Sequence, residues 1–250
     1  MPSEPASYTD RRRADSFGSA ADDYDSFRPR YPQALIDTLV HDQCMSVLDV
    51  GAGTGIASIQ LAEAGAQVLA VEPDARMAAV ARGKGVHLEE STFEDWQPEG
   101  RTFDLVVFAQ SFHWVKPCAA LEKVSQILAA GGRLALIWNR VDPISPSQLD
   151  LDTIYADYLD TSDKLGPEPR ANAVFEMIRQ AGFSVERQLF PERIRYSADA
   201  WLNMVFTYSN HLTLEPRDRI ELRKRLAARI DGAEVQAENN ALAIYCTPNR

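Results

Sequence analysis

Cysteine is scarce in this chain of 250 residues, and long apolar runs are missing from it. The three cysteines, Cys44, Cys118 and Cys246, form no C-x-x-C pair and lack the ligand spacing of a zinc site, so we expect three buried, reduced thiols. No segment approaches the roughly 18 apolar residues of a membrane helix, and the first residues lack the apolar core of a secretory signal. These absences predict a cytoplasmic protein without a membrane partner.

Basic residues are also outnumbered, because 26 lysines and arginines stand against 36 acidic residues and give a net charge of −10. Such a field repels nucleic-acid phosphates and anionic lipids. Two locally basic segments, residues 11–13 and 217–229, are interpreted as solvated surfaces, the second on an amphipathic helix. We therefore expect a small-molecule partner, no nucleic acid, and a monomer or a homodimer.

The composition, with 45% hydrophobic residues, allows one sizeable core. Residues 1–16 lack apolar periodicity and are predicted to form a loosely held tail, and residues 17–250 a single domain. From residue 46 onward, apolar runs alternate with helical periodicity, which is typical of a parallel sheet with crossover helices. The predicted strands of this part of the chain are 46–52, 67–73, 86–90, 103–109 and 133–139.

The sequence pattern changes after residue 139, where two proline-rich segments flank a segment with helical periodicity. Residues 140–182 and 197–232 are predicted to form a helical cap over the sheet. Residues 185–196 look like a strand, but Pro191 confines that strand to a sheet edge or a bulge. The apolar run 241–248 is predicted to be a last, buried strand.

The segment VLDVGAGTG places Gly51, Gly53 and Gly55 at a turn between a buried strand and a helix. Glycine suits this position because the backbone must turn sharply and approach a ligand closely. Glu72, at the tip of the next strand, is placed to accept hydrogen bonds from both hydroxyls of a ribose. This combination predicts a nucleoside-containing cofactor at the carboxyl edge of the sheet.

The spacing of the glycines distinguishes a dinucleotide site from a site for another nucleoside-containing cofactor. A dinucleotide site requires G-x-G-x-x-G, but reading from Gly53 the third glycine is replaced by Ser58. Asp49, in the strand before the loop, would repel a pyrophosphate and attract an ammonium group. These features disfavour a dinucleotide-dependent oxidoreductase, which stays open as an alternative.

Five motifs in order carry a family resemblance: VLDVGAGTG, VEPDARM, STFEDW, FDLVVFAQSFHWV and LAAGGRLALIWN. Together they strongly resemble the class I S-adenosylmethionine (SAM) dependent methyltransferases, in the small-molecule branch that is similar to trans-aconitate methyltransferase. The resemblance is clear over residues 17–139. It implies a doubly wound, mostly parallel α/β sheet of seven strands, with a Rossmann-like arrangement and the last strand inserted antiparallel.

The resemblance also implies roles for individual residues. The three glycines and Glu72 would hold the methionine and ribose parts of SAM, and Asp49 its ammonium group. The adenine ring of SAM would be contacted by Met77, Phe93 and Glu94. The methionine end of SAM would be contacted by Ala109 and Gln110. The segment FGSAADDYDSFRPRYP resembles the one that closes over SAM, with Tyr24 and Arg28 in it. Arg28 either pairs with the methionine carboxylate or, with Tyr24, only packs this segment onto the sheet.

Methyl transfer needs chiefly alignment of the nucleophile with the methyl group and exclusion of water. If the acceptor carries a proton, His113 is the candidate base, and the alternative is a structural hydrogen bond in its turn. The fourth strand lacks the Asn/Asp-Pro-Pro-Tyr/Phe arrangement of base and glutamine amino methyltransferases, and also the acidic cluster of a magnesium site. We therefore expect metal-free transfer to a small molecule, with oxygen favoured over nitrogen or carbon. Two further alternatives are a SAM-binding regulator without catalysis and transfer from a modified cofactor.

Overall fold

A mixed β-sheet forms the centre of the protein in the computed structural model, which describes residues 10–159 and 167–249. Buried apolar side chains recur in each central strand, as expected for a sheet covered on both faces. The strands are β1 (Ser46–Val50), β2 (Gln67–Glu72), β3 (Leu88–Glu90), β4 (Phe103–Ala109), β5 (Leu128–Trp138), β6 (Val141–Ser145), β7 (Phe183–Tyr196) and β8 (Val235–Pro248).

The strand order is β3-β2-β1-β4-β5-β8-β6, and β7 also pairs with β8. Strands β1 to β5 are parallel, and β8 runs antiparallel to β5, β6 and β7. The insertion of the last strand in antiparallel orientation is thereby confirmed. The edge position expected from Pro191 is confirmed as well, because β7 pairs with β8 alone among the described strands.

The sheet has eight strands rather than the predicted seven, and the additional strand is β6. Both β5 and β6 pair with β8, β5 opposite its second half and β6 opposite its first half. They are separated only by Asn139 and Arg140, which the buried side chain of Asn239 contacts by hydrogen bonds of 2.8 and 3.0 Å. Residues 141–145, predicted to begin the helical cap, therefore extend the sheet instead.

Two other boundaries differ from the predictions. The fifth strand, predicted to begin at residue 133, begins at Leu128, because Leu128 already pairs with Phe103 of β4. The last strand begins at Val235 rather than at residue 241, because it continues alongside β6 and β7. In both cases pairing with a distant strand extends the sheet beyond the apolar run in the sequence.

Helices cover both faces of the sheet. On one face, α6 and α8 pack on strand side chains such as Val106 and Leu134. On the other face, α3 and α4 pack on side chains such as Leu105 and Val107. The doubly wound arrangement is therefore confirmed. The described helices are α1 (Arg11–Ala14), α2 (Ala21–Phe27), α3 (Gln33–Leu39), α4 (Ile56–Glu63), α5 (Ala75–Gly83), α6 (Pro117–Ile127), α7 (Gln148–Tyr155), α8 (Pro167–Gln180), α9 (Ala198–Val205), α10 (Ser209–Leu212) and α11 (Pro216–Ile230).

A separate apolar cluster joins α7, α9 and α11, and Tyr208, beside α10, packs against it. These four helices are called the cap below. Helix α8 was expected in the cap, but Ile178 is fully buried in the main core. The predicted cap segment 197–232 contains the three helices α9, α10 and α11. None of the described helices combines the length and the apolar composition needed to cross a membrane.

The N-terminal segment Asp10–Arg28, called the lid below, lies between the sheet and the cap. Of the tail predicted over residues 1–16, residues 1–9 lie outside the described residues. The lid contains α1, a 3-10 turn (Phe17–Ala20) and α2. Contacts from this segment reach α5, α9 and α10, so the lid connects parts of the chain that are distant in sequence.

Candidate functional site

The glycine loop follows β1 and precedes α4, where the sequence predicted it. Gly51, Gly53 and Gly55 all have positive φ values, of 67°, 58° and 82°, which side chains of L-amino acids rarely adopt. Gly51 also has no space for a side chain, because an added Cβ would lie 2.6 Å from the Cβ of Ser111. The tight turn leaves the backbone of the loop facing the carboxyl edge of the sheet.

Glu72 organises this edge from the end of β2. Its carboxylate accepts a hydrogen bond from the N–H of Gly53 at 2.8 Å and another from the N–H of Asp74 at 2.9 Å. Burial raises the pKa of Glu72 to about 7, although both backbone hydrogen bonds act in the opposite direction. Each carboxylate oxygen keeps a lone pair for a hydroxyl ligand, as the predicted role in ribose binding requires.

This raised pKa predicts a pH-dependent stability. Because Glu72 titrates near pH 7 in the folded protein and near 4.5 when unfolded, the folded state binds more protons between these values. The free energy of unfolding of the ligand-free protein should therefore fall as pH rises from about 5 to about 7, by on the order of 3 kcal/mol from this group. Urea denaturation of the wild type and Glu72→Gln at several pH values measures the difference.

Glu72→Gln should lose this part of the pH dependence, while the control Glu90→Gln, on the exposed end of β3, should keep it. Asp49, whose pKa burial raises to about 6, adds a slope of the same sign between about pH 4 and 6 in all three proteins. Identical profiles for Glu72→Gln and the wild type would mean that Glu72 is ionised normally in the folded protein.

A cavity of about 680 Å³ opens between the glycine loop, the lid and the cap. This volume is within the usual range for small-molecule and cofactor sites, about 300–1,000 Å³. Most of the residues predicted for the site line it, namely Tyr24, Arg28, Gly51, Gly53, Glu72, Met77, Phe93, Glu94, Ala109, Gln110 and His113. The structure thus brings together residues from the lid, three strand ends and the loops that follow them.

Asp49 and Gly55 do not line this cavity. The carboxylate of Asp49 is fully buried beneath the glycine loop and accepts a hydrogen bond from the hydroxyl of Ser58 at 2.6 Å, while its Oδ1 has no partner among the described residues. Gly55 precedes α4, where an added Cβ would lie 2.9 Å from the side chain of Val86. Gly55 therefore serves close packing, and Asp49 lies one layer behind the cavity wall.

The residues predicted to contact adenine line the cavity, and one of them also belongs to the main hydrophobic core. Met77 is buried, with its methyl group 3.3 Å from the position of a Cβ on Gly53. Phe93 packs edge-on against Phe108 at 5.5 Å between ring centroids and belongs to the main core. Glu94 accepts a hydrogen bond from the N–H of Lys116 at 3.0 Å. Phe93 is therefore a core residue that also lines the cavity, and the core accommodates its large ring.

The lid is fastened to the sheet side of the cavity. Phe17 makes edge-on contacts with Tyr24 and Trp114, at 5.8 and 5.9 Å between ring centroids. The guanidinium of Arg76 donates a hydrogen bond to the backbone carbonyl of Asp15 at 3.1 Å, and Lys84 pairs with Asp25. The contacts to Trp114, Arg76 and Lys84 hold the lid against α5 and the segment after β4.

Arg28 fastens the lid to the cap. Its guanidinium donates to the hydroxyl and the carbonyl of Thr207, at 2.8 and 3.0 Å, and lies over the rings of Tyr24 and Tyr208, at 4.7 and 4.1 Å. Arg28 also lines the cavity. The two interpretations of Arg28, packing and ligand binding, are thus compatible with the same position.

The segment after β4 forms another wall. Gln110 has a φ of 61° and donates its N–H to the carbonyl of Ile137 at 2.9 Å, which turns the chain sharply at the strand end. His113 packs beside Trp114, with 4.6 Å between ring centroids. Burial, with a smaller effect from the charge of Arg13, lowers the pKa of His113 to about 4, so its imidazole is uncharged at neutral pH.

Sequence reasoning missed the contribution of α1 and α10 to the cavity. Arg13, Ser209 and Asn210 line it, and the guanidinium of Arg13 donates to the hydroxyl of Ser209 at 3.1 and 3.3 Å. The interpretation of residues 11–13 as merely solvated is wrong for Arg13, which is partly buried and bonds to α10, while Arg12 is exposed. No local motif signals this contact, since the partners are 196 residues apart in sequence.

Two other sequence predictions can be compared with the structure. The three cysteines are free, but Cys44 and Cys118 are exposed rather than buried, and only Cys246 lies in the core. Within residues 10–159 and 167–249, no group of three or more His, Cys, Asp or Glu residues is arranged to hold a metal ion.

A family model described as a methyltransferase domain matches residues 24–188. An uncharacterized methyltransferase of Mycobacterium tuberculosis is 42% identical over 130 residues, which cover 51% of this chain and 53% of that protein. An uncharacterized methyltransferase of Schizosaccharomyces pombe is 26% identical over 214 residues, which cover 79% of this chain and 81% of that protein. This chain thus aligns with about half of the length of its mycobacterial relative.

Solved structures share the fold. A candidate type II methyltransferase from Anaeromyxobacter dehalogenans superposes with a TM-score of 0.59 at 24% identity, covering 89% of this chain and 98% of that one. A Haemonchus contortus phosphoethanolamine N-methyltransferase, solved with phosphomonomethylethanolamine and S-adenosylhomocysteine, gives a TM-score of 0.57 at 14% identity, covering 100% of this chain and 61% of that one.

Proposed function

Because this chain belongs to the class I SAM-dependent methyltransferase family, we propose that it transfers a methyl group from SAM to an oxygen atom of a small-molecule acceptor. The observation that carries this proposal is the 680 Å³ cavity, which joins the glycine loop and Glu72 to a wall supplied by the lid and the cap. A cavity of this volume, lined by the loop, the lid and the cap, suits a small acceptor.

The residues present suit the cofactor. Gly51 and Gly53 line the cavity, and the buried carboxylate of Glu72 has lone pairs for two ribose hydroxyls. Met77 supplies an apolar surface beside the loop for the adenine ring. The unpartnered Oδ1 of Asp49, one layer below, adds negative charge beneath the place of the methionine ammonium group.

The work of the protein is to align the acceptor and exclude water. When bound, SAM supplies a methyl carbon that its sulfonium has already activated. The lid residues Phe17 and Tyr24 and the cap residue Tyr208 cover the cavity, so they keep solvent from the acceptor. Gln110, fixed by its backbone hydrogen bond to Ile137, and Ala109 border the place of the methionine part.

Oxygen is favoured as the acceptor atom by the state of His113. With a pKa of about 4, this imidazole is a weak base at neutral pH and removes a proton from an alcohol or an ammonium group poorly. An acceptor that is already an oxygen anion needs no base. In this proposal His113 is a wall residue that remains neutral, rather than the catalytic base.

The second candidate function is SAM binding without catalysis, which the cofactor wall alone would support. A cavity of 680 Å³ with an additional polar wall from α1 and α10 favours the enzyme, because this wall lies outside the set of residues that the family resemblance assigns to the cofactor. Formation of S-adenosylhomocysteine in an acceptor screen distinguishes the two functions.

Calorimetric titration of the cofactor-stripped protein tests the cofactor part of the proposal. We expect micromolar binding of SAM and S-adenosylhomocysteine and no binding of NAD, because Asp49 and the G-x-G-x-G loop suit an ammonium group and oppose a pyrophosphate. Binding of NAD with silence toward both sulfur nucleosides would contradict the proposal and favour an oxidoreductase.

A cytoplasmic location, a monomeric or homodimeric state, and the absence of nucleic-acid and membrane partners belong to the same proposal. The three free thiols support a reducing compartment. The net charge of −10 opposes binding to polyanions.

A further inference from the structure

The cavity of this acidic protein contains two arginines without an acidic partner. No carboxylate of the described residues lies within ion-pair distance of the guanidinium of Arg13 or Arg28, and these groups donate to oxygen atoms of Ser209 and Thr207. Guanidinium groups in closed sites normally face anions, because only anions use their charge and their paired donors fully. The two guanidinium groups are therefore candidates for binding anionic ligands.

The acidic residues of the same cavity are already engaged. Asp74 forms an ion pair with Arg76 at 2.7 Å, and the charge of Asp15 also acts on Arg76. Glu72 accepts from two backbone N–H groups, and Glu94 accepts from the N–H of Lys116. Of the three arginines in the lining, Arg13 and Arg28 are thus the two without an ion-pair partner among the described residues.

One of these charges is explained by the proposed cofactor. SAM carries a single carboxylate, and Arg28 was assigned to it because Arg28 extends from the lid helix that resembles the SAM-covering segment. Arg13 belongs to the other wall, with α10. Its charge reaches His113, whose pKa it helps to lower. With the carboxylate of SAM assigned to Arg28, Arg13 on the wall with α10 is available for a different ligand.

Other hydrogen-bond donors surround Arg13. The hydroxyl of Ser209 accepts from Arg13 and so has its own proton available for a ligand. Asn210 places its Oδ1 2.9 Å from Nδ1 of His211, an orientation that leaves its Nδ2 as a donor. The side chains of Arg13, Ser209 and Asn210 thus form a wall of donors, called the α1–α10 donor wall below.

From this arrangement we propose that the acceptor carries an anionic group, a carboxylate or a phosphate, that binds to the α1–α10 donor wall. The inference rests on the proposed function and deepens it by naming the chemical class of the acceptor. Arg13 is its specificity-determining residue, and it also ties the lid to the cap through Ser209. Binding of the anion would therefore favour the closed arrangement of the lid.

The test is calorimetric titration of the S-adenosylhomocysteine-saturated protein with malonate, with inorganic phosphate and with the uncharged analogue malonamide. At least one anion should bind with a millimolar dissociation constant, and malonamide should not. Arg13→Gln should weaken anion binding by about tenfold or more, the usual effect of losing a charge-assisted hydrogen-bonded pair. Binding of malonate alone identifies a carboxylate acceptor, and binding of phosphate alone a phosphorylated one.

Arg12→Gln is the matched control, because Arg12 is the neighbouring arginine, bonds only to the carbonyl of Thr213 in the described structure, and does not line the cavity. It should bind anions like the wild type. Arg13→Lys should recover part of the affinity that Arg13→Gln loses, since lysine restores the charge. A purely mechanical role of Arg13 in fastening the lid would not produce this recovery of anion binding.

The inference is overturned if neither anion binds, or if Arg13→Gln and Arg12→Gln bind anions equally well. Failure of the proposed function looks different, because S-adenosylhomocysteine itself would not bind in the first titration. The same anions titrated into the cofactor-free protein then still test the donor wall by the same criteria.

Discussion

Glu72→Ala should reduce the affinity for SAM and S-adenosylhomocysteine by about 100-fold or more. The substitution removes the acceptor for two ribose hydroxyls, and hydrogen bonds to a charged group are worth about 1.5–3 kcal/mol each. It also leaves the N–H groups of Gly53 and Asp74 without their acceptor, so the loop loses part of its order. Calorimetric titration of the purified variant measures the loss.

The matched control for this variant is Glu90→Ala. Glu90 is also a strand-end glutamate, paired with Arg82 at 3.1 Å, but it is exposed and does not line the cavity. Its removal should leave the affinity unchanged. A melting curve for each ligand-free variant separates loss of binding from loss of the fold. Wild-type affinity in a folded Glu72→Ala protein would remove Glu72 from the cofactor site.

The sheet-side wall of the cavity was predictable because it depends on local sequence. A strand, a tight glycine turn and an acidic residue at the next strand tip lie within residues 46–72, so their geometry follows from short-range rules. The structure places Gly51, Gly53 and Glu72 together on the cavity as expected. Asp49 lies behind the wall rather than in it because its side chain points into the buried layer, where Ser58 meets it.

The cap-side wall was not predictable, because it depends on the packing of segments about 200 residues apart. Arg13 belongs to a short polar segment without periodicity, and Ser209 to a four-residue helix. Neither segment carries a motif, and only the tertiary contact between them gives Arg13 a place in the cavity. The extra strand β6 was missed for a similar reason, since Pro143 discouraged a strand and the edge of the long β8 supplied the pairing.

The charge of the chain is another property whose local distribution depends on tertiary packing. The net value of −10 argues against polyanion binding, and it says nothing about the lining of one cavity. The carboxylates of Glu72 and Glu94 accept from backbone N–H groups and Asp74 pairs with Arg76, whereas Arg13 and Arg28 have no ion-pair partner among the described residues. The net charge of the chain therefore does not predict how the charged groups are arranged around the cavity, which only the structure shows.

Gly51→Ala should destabilise the protein by about 3 kcal/mol and abolish detectable cofactor binding. A left-handed φ of 67° costs an alanine roughly 1–2 kcal/mol, and overpacking in a dense region adds about 1–3 kcal/mol. The added methyl group would lie 2.6 Å from the Cβ of Ser111, so the turn must shift. Urea denaturation and SAM titration measure the two effects.

Gly100→Ala separates the two causes, because Gly100 has a φ of 79° but no atom within 4 Å of an added Cβ. It should cost only about 1 kcal/mol and leave binding intact. Ser111→Gly removes the clashing carbon and should restore part of the stability that Gly51→Ala loses, whereas Ser111→Ala keeps that carbon and should restore none. Equal costs for Gly51→Ala and Gly100→Ala would show that φ alone requires glycine at position 51, and that the close approach of Ser111 contributes nothing.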